Sequence, residues 1–451
     1  MNNIILIATL LAVFMVPGDI SGIAIALPYI EKAFSENQIL LQWVVNAFNL
    51  LFACFTLIWG ALSDRFGVKK CFLIGITLYL FGSIFSAFSP SLIILDIFRG
   101  ISGIGGASIF VCGSSILNKT FSEKKDKLKA FAMFGTTAGL GITFGPTISG
   151  FLIGIFSGFR AIFITHFIIL LLSLILSLYS IPNDEKSNKK INFDILGSLF
   201  FIIFMFSFIL FITKLSNIKN SFIIAAIFIV FGFIFLLYER RLYKRNEILL
   251  IDFSLLKNYR FLAVSFIPII AGFTFVVLLT YFPTFLNQVF GLKPFQTGIY
   301  MLALTIPMLF CPILASKLLN KGIDYKKLCI TMCAMMSLGL LFLGIITFLN
   351  SNIFIAIIFL FIIGVGMGLH AGAIDGIALS LVEEDKTGLA AGILNTFRLG
   401  SETTGVALYG SLMSLFKTDY YINSFLYTSI ILSLIGIILS IFVCILLNIR
   451  D

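Results

Sequence analysis

Charge stands inside long apolar stretches at a few places, above all Asp19, Arg99, Asp375, Arg398 and Glu402. An ionised side chain at the centre of a bilayer costs about 2.5–3.5 kcal/mol on insertion scales, so each needs a partner, a wet cavity or a bound proton. The chemistry open to such a set is proton exchange and ion pairing. Asp19 lies near the middle of its stretch, where loss of hydration penalises a bare charge and lets the group trade a proton. Its other reading is a packing residue bonded to Ser21 or a neighbouring helix. Arg99 follows Asp96 by three residues and Glu402 follows Arg398 by four, spacings that put each pair on one helix face. In the first pair Arg99 is the functional member and Asp96 its anchor, unless the pair is purely structural. In the second, Glu402 either stays with Arg398 or swaps between Arg398 and a proton. Asp375 either joins this exchange or is simply hydrated near the end of its stretch. His370 lies five residues earlier, about 140° around a helix, and reads as a hydrogen-bonded structural histidine or a proton relay. His166 is assigned no role.

The elements that must position these residues are fourteen apolar stretches, at 4–30, 41–62, 71–89, 91–117, 130–153, 160–181, 194–213, 221–238, 259–286, 296–319, 327–349, 352–381, 387–413 and 424–447. Crossing a hydrocarbon core takes about 20 apolar residues of helix, and the backbone must satisfy its polar groups within the segment. The chain therefore reads as an all-α polytopic membrane protein with 14 transmembrane helices. Charged residues make up 12% of the 451, about half the usual share in soluble domains, and mean hydropathy is +1.10. The polar gaps are connectors, too short for a soluble core of their own. The start has no basic leader region and its apolar run continues through Asp19, so it reads as a retained helix rather than a signal peptide.

Twenty-three of the 31 Lys and Arg fall in connectors on one side; six (Lys32, Arg160, Lys214, Lys219, Lys293 and Lys417) fall on the other. That asymmetry marks the first side as cytoplasmic, and the even span count puts both termini there, in a plasma-membrane protein. The net charge of +10 is thus a topology signal, and no solvated basic face exists for nucleic acid. Seven cysteines without paired metal-ligand spacing read as small buried hydrophobes, with neither metal nor disulfide. With only two histidines, no nucleophile and base or metal cluster assembles for an enzyme. The 52 phenylalanines read as gene composition plus lipid-facing surface, not as a drug pocket.

The glycine-rich stretch 130–153 resembles 387–413, and each is fifth in a run of six. This suggests two six-helix halves, 1–181 and 259–451, with two inserted helices and their connectors at 182–258.

The segment GALSDRFGVKK (60–70) resembles the cytoplasmic loop signature of the major facilitator superfamily through Gly60, Leu62, Asp64, Arg65, Gly67, Lys69 and Lys70, with Val68 where a basic residue is usual. Gly60 and Gly67 suit close helix approach and a tight turn, and Asp64 and Arg65 can pair differently in two conformations. RGISGIGGA (99–107) is similar to the family's intramembrane arginine motif. Gly141, Gly145, Pro146 and Gly150 resemble the helix-five signature of its antiporters, with Ser149 replacing one glycine. DISGIAIALP (19–28), QWVVNAFNL (42–50), Leu249 to Phe261 and NTFRLGSETTGVAL (395–408) are similar to the fourteen-span drug/proton antiporters, the last also to tetracycline efflux members. The resemblance implies a major facilitator fold in which the first and fourth helices of each half line the cavity. It further implies a monomer with no cofactor, driven by the proton gradient, whose partners are protons, a small-molecule substrate and the lipid bilayer. The expected activity is export of small lipophilic, cationic drugs; a facilitator-fold transporter of another solute or a non-transporting sensor is the alternative.

Overall fold

The computed structural model describes residues 2–34, 38–121, 123–183, 194–215, 221–244, 255–349, 353–383, 387–416 and 421–449. Contacts divide the chain into two compact units, Met1–Phe193 with Lys293–Gly298, and Asp194–Leu292 with Ile299–Asp451. The first unit holds α1 (Asn2–Phe34), α2 (Gln38–Phe66), α3 (Val68–Ala87), α4 (Leu92–Thr120), α5 (Lys124–Phe156) and α6 (Arg160–Ser180). The second holds α7 (Ile195–Thr213), α8 (Phe222–Lys244), α9 (Tyr259–Ala271) and α10 (Val277–Phe290), the last two joined by a π-helical turn at Gly272–Val276. It continues with α11 (Pro294–Thr305), which begins in the first unit, and α12 (Pro307–Asn320), α13 (Tyr325–Leu349), α14 (Ile353–Ser380), α15 (Thr387–Leu415) and α16 (Tyr421–Asn448). The inserted pair α7 and α8 thus packs as part of the second unit, where α7 reaches α15 through the Ser411 hydroxyl, which donates to the Ile212 carbonyl at 2.7 Å.

Twelve described helical elements are long and apolar enough to cross a membrane. The other two expected stretches, 41–62 and 387–413, fall on α2 and α15, helices of 29 residues each. Within α2 the described residues hold a shorter apolar helix, Leu41–Thr56, and α15 carries Arg398 and Glu402. A bilayer replaces water around the outward faces, so large apolar side chains such as Ile168, Phe233 and Ile438 stand exposed, as lipid contact requires.

In the first unit, small residues decide which helices meet. Gly18, Ser21 and Gly22 of α1 lie on Gly141, Gly145 and Ser149 of α5; a methyl at Gly145 would sit 2.6 Å from the Gly18 carbonyl oxygen. Four-residue spacing of small side chains is the general device for such close backbones in membranes. The Ser21 hydroxyl, held on the Pro17 carbonyl at 3.0 Å, also reaches the Gly141 carbonyl at 3.3 Å. Gly150 meets the backbone of Pro294 and Phe295, and Pro146 lies inside α5 without breaking it. Of the loop glycines, Gly67 adopts φ 98° before α3, a conformation open in practice to glycine. Gly60 is different from expectation: an added Cβ would meet no described atom within 4 Å, so it mediates no close approach. Gly145→Ala is therefore expected to destabilise by about 1–3 kcal/mol through overpacking and Gly60→Ala by almost nothing. Thermal unfolding of the two purified variants checks this, and equal shifts would count against the α1–α5 contact.

Candidate functional site

Glycines of α4 allow its neighbours to approach: Gly103 meets the Phe48 carbonyl of α2, and a methyl at Gly105 would sit 2.6 Å from the Tyr79 nitrogen of α3. This brings Phe48 and Tyr79 beside Arg99. Asp19 enters from α1, on a different face from the glycine stripe that holds α5.

The result is a closed charge cluster drawn from five helices. The Asp19 carboxylate, 0% exposed, accepts from the Arg99 guanidinium at 2.5 Å and from the Tyr79 hydroxyl at 2.7 Å, both on Oδ2. Arg99 Nε donates to the Val44 carbonyl of α2 at 2.8 Å, and its guanidinium lies 4.7 Å from the Phe48 ring centre and 5.8 Å from that of Phe163. The second carboxylate oxygen, Oδ1, has no hydrogen bond among the described residues. It faces His166 Nδ1 on α6 at 3.8 Å, and that nitrogen is also without a partner. The His166 ring is edge-on to Tyr79 and Phe163. One oxygen of Asp19 is saturated, and the other is open toward a titratable ring.

Three expectations change here. Arg99 pairs with Asp19 and not with Asp96, whose Oδ1 lacks a hydrogen bond; the helix geometry that permits an i, i+3 pair is outcompeted by a buried carboxylate on another helix. Ser21 bonds backbone carbonyls rather than Asp19, while the bonds of Asp19 go to neighbouring helices, as the other half of that expectation had it. His166, given no role by sequence, stands against the acid. Neither His166 nor Tyr79 is a charge in an apolar run, so the signal that exposed the others passes over both.

The second unit gathers a looser set. Arg398 of α15 forms a salt bridge with Asp375 of α14 and reaches the Asn395 side-chain oxygen at 3.4 Å. Its partner is thus Asp375 rather than Glu402, which is half-buried one turn along α15 with no salt bridge among the described residues. The Asp375 side chain is 55% exposed and that of Arg398 25%. His370 is buried on α14, and among the described residues neither ring nitrogen has a hydrogen-bond partner, which counts against the reading of a hydrogen-bonded structural histidine. Asp64 and Arg65 lie on α2, but their side chains fall outside the described residues.

Among the described residues no three His, Cys, Asp or Glu side chains gather as a metal site, and six of the cysteines are buried. The phenylalanines are not all lipid-facing. Phe201, Phe204 and Phe208 of α7 share one helix face and, with Phe235, Phe273 and Phe397, line a cavity of about 410 Å³ inside the second unit. Thr396, Ser401 and Thr404 of α15 supply its polar atoms.

The sequence model of the Major Facilitator Superfamily matches residues 9–209 and 192–406. The chain is 28% identical over 413 residues to the Multidrug resistance protein Stp of Mycobacterium tuberculosis (strain CDC 1551 / Oshkosh), covering 91% of this chain and 75% of that one. It is 27% identical over 408 residues to the Riboflavin transporter RibZ of Clostridioides difficile (strain 630), covering 90% and 87%. The crystal structure of a D-xylose-proton symporter superposes with a TM-score of 0.69 at 14% identity, covering 98% of this chain and 96% of that one, a likeness of fold.

Proposed function

We propose that this chain, which belongs to the major facilitator superfamily, is a fourteen-span plasma-membrane antiporter that exports small lipophilic cations in exchange for protons. The family makes it a multi-span membrane transporter of small molecules and not an enzyme. The finer reading is carried by one observation: a fully enclosed carboxylate with a permanent cation on one oxygen and an unsatisfied, histidine-facing oxygen on the other. Such a carboxylate has three claimants, namely Arg99, a proton and a cargo cation. In the closed arrangement Arg99 holds it. A proton arriving on Oδ1 cancels the charge that attracts the guanidinium, and Arg99 is then free to lean on Val44 and the two phenyl rings. Removal of that proton restores an anion that either Arg99 or the cargo can neutralise. Cargo and proton therefore exclude one another at a single group, which is what couples their fluxes.

The relation to Stp supports the drug class. Export of a monovalent cation for one proton moves no net charge. A membrane potential of 100 mV, about 2.3 kcal/mol per charge or roughly a 50-fold gradient, contributes only if a second proton is exchanged. Asp375, paired with Arg398, and Glu402, one turn from that arginine, are the acids of the second unit to which we assign it. In this reading the fourteen spans are α2 and α15 along with the twelve apolar helices, the basic connectors support a cytoplasmic position for both termini, and the protein works as a monomer.

A second reading, transport of a metabolite, is favoured by the relation to RibZ. The experiment that separates them uses proteoliposomes with an imposed pH gradient. A lipophilic cationic dye is expected to move against the proton flux, with acidification of the proton-receiving side that depends on the dye. Movement of a neutral metabolite without the dye, or dye flux indifferent to the pH gradient, would overturn the proposal.

A further inference from the structure

We infer that the cavity where α1 ends and α6 begins is a binding site for the headgroup and one chain of an anionic phospholipid. It has a volume of about 770 Å³ and lies wholly within the first unit. Lys32, in the last turn of α1, and Arg160, the first residue of α6, both line it. These are two of only six basic residues on the side of the membrane that is otherwise poor in them, so their convergence on one cavity is not a by-product of abundant charge.

Neither cation is spent within the protein: among the described residues neither forms a salt bridge, no carboxylate lines the cavity, and Arg160 lies 5.8 Å from the Phe159 ring centre. The remaining wall is graded. Tyr29 stands near the charges, while Phe156, Ile164 and Ile168 form an apolar side. Ile164 and Ile168 are four apart on α6 and 37% and 59% exposed, and Leu172 and Ile175 continue the exposed track along the same helix. A ligand that satisfies the whole site is therefore negative at one end and hydrocarbon at the other.

Depth agrees with a lipid. Lys32 lies thirteen residues beyond Asp19, up to about 20 Å along α1 at 1.5 Å per residue. For an acid near the middle of the membrane that is headgroup level, half of a bilayer about 40–45 Å thick. Tyrosine beside basic residues at helix ends is the usual composition of that layer. The turn between α5 and α6 carries Ser157 in the left-handed conformation, φ 52°, and Ser157 itself lines the cavity.

The test is native mass spectrometry of the purified full-length protein, supplied with equal amounts of phosphatidylglycerol and phosphatidylcholine. Two cations near an anionic headgroup correspond to about a 10- to 30-fold preference, and the wild type is expected to retain phosphatidylglycerol by that margin. The Lys32→Gln/Arg160→Gln double variant is expected to fall to near parity. Lys214→Gln/Lys293→Gln, which removes two charges from the same side elsewhere, is expected to keep the preference. No preference in the wild type, or the same preference in the first double variant, overturns the inference. Displacement of the lipid by millimolar inorganic phosphate would overturn it in favour of a free-anion site. The inference does not rest on the transport reading, since each readout is lipid retention and not flux.

Discussion

Asp19→Asn is expected to abolish pH-driven export while leaving the protein folded in the membrane. Asparagine keeps the shape of the carboxylate and an oxygen that can still accept from Arg99 and the Tyr79 hydroxyl, whose bonds at 2.5 and 2.7 Å converge on Oδ2. What it loses is the charge and the ability to hold a proton. The buried arginine is then left without its counter-ion, a change that typically costs about 3–5 kcal/mol. Part of that cost is offset here, because the guanidinium keeps the Val44 carbonyl and the faces of Phe48 and Phe163. Drug susceptibility in an efflux-deficient host, with surface expression measured alongside, gives the first readout. Dye-dependent proton movement in vesicles gives the second. The expected outcome is normal expression, no resistance and no coupled proton signal. Undiminished export by the asparagine variant would remove Asp19 from the mechanism, and undiminished export after Asp19, Asp375 and Glu402 all become amides would remove carboxylate coupling altogether.

The positions of the helices and of the charged residues were legible because both follow from the cost of polar groups in hydrocarbon. The fourteen apolar runs fall on helical elements, of which twelve are long and apolar enough to cross a membrane among the described residues, and Asp19 and Arg99, marked only by their charge, form one ion pair. What could not be read was the pairing. Both local pairs suggested by helical spacing, Asp96 with Arg99 and Arg398 with Glu402, gave way to partners on another helix, 80 residues away in the first case and 23 in the second. In the first unit the physical reason is burial. An exposed i, i+3 or i, i+4 pair is worth only about 0.2–0.5 kcal/mol, whereas the attraction between opposite charges rises steeply as water is removed. Spacing shows which residues could meet; for Asp19 and Arg99 desolvation decides that they do, while Arg398 takes the more exposed of its two neighbouring carboxylates, a choice burial does not explain. His166 and Tyr79 escaped notice for a related reason. A neutral ring or phenol costs little in an apolar run, so its importance appears only when the fold brings it to an acid.

The second unit repeats the components of the first with less closure. An arginine on one helix binds an aspartate on its neighbour, and a buried histidine stands on that neighbour's helix. Yet Asp375 is 55% exposed where Asp19 is 0% exposed. Exposed pairs contribute about 0–1 kcal/mol and are screened by salt. The Arg398–Asp375 bridge is therefore the more easily exchanged of the two, and the Asp19 cluster carries the larger energetic consequence of any substitution.

That difference sets the expectation for Arg99. Arg99→Ala leaves Asp19 buried with only the Tyr79 hydroxyl on Oδ2, and an uncompensated carboxylate in this position is expected to destabilise by about 3–5 kcal/mol and to lower expression and export together. By itself that result would not separate a coupling role from a packing role, so the informative variants are Arg99→Lys and the Asp19→Asn/Arg99→Gln pair. Lysine keeps the charge but replaces a planar fork by a point charge. Its donors all sit on one nitrogen, so it does not reproduce the separate Nε and Nη1 bonds to the Val44 carbonyl and the carboxylate, nor spread over the Phe48 ring. It is expected to restore most of the thermal stability lost in the alanine variant while leaving export strongly impaired. The double neutral variant removes both buried charges, and replacing a buried pair by neutral groups of similar volume is often close to neutral for stability. It is therefore expected to fold nearly as well as the wild type, with an unfolding midpoint well above that of Arg99→Ala, and to carry no coupled proton flux. If the double variant exports dye with the wild-type pH dependence, the ion pair is a structural clamp and the proton travels elsewhere. If it folds no better than Arg99→Ala, the alanine variant's defect lies in lost packing against Phe48 and Phe163 rather than in a stranded carboxylate.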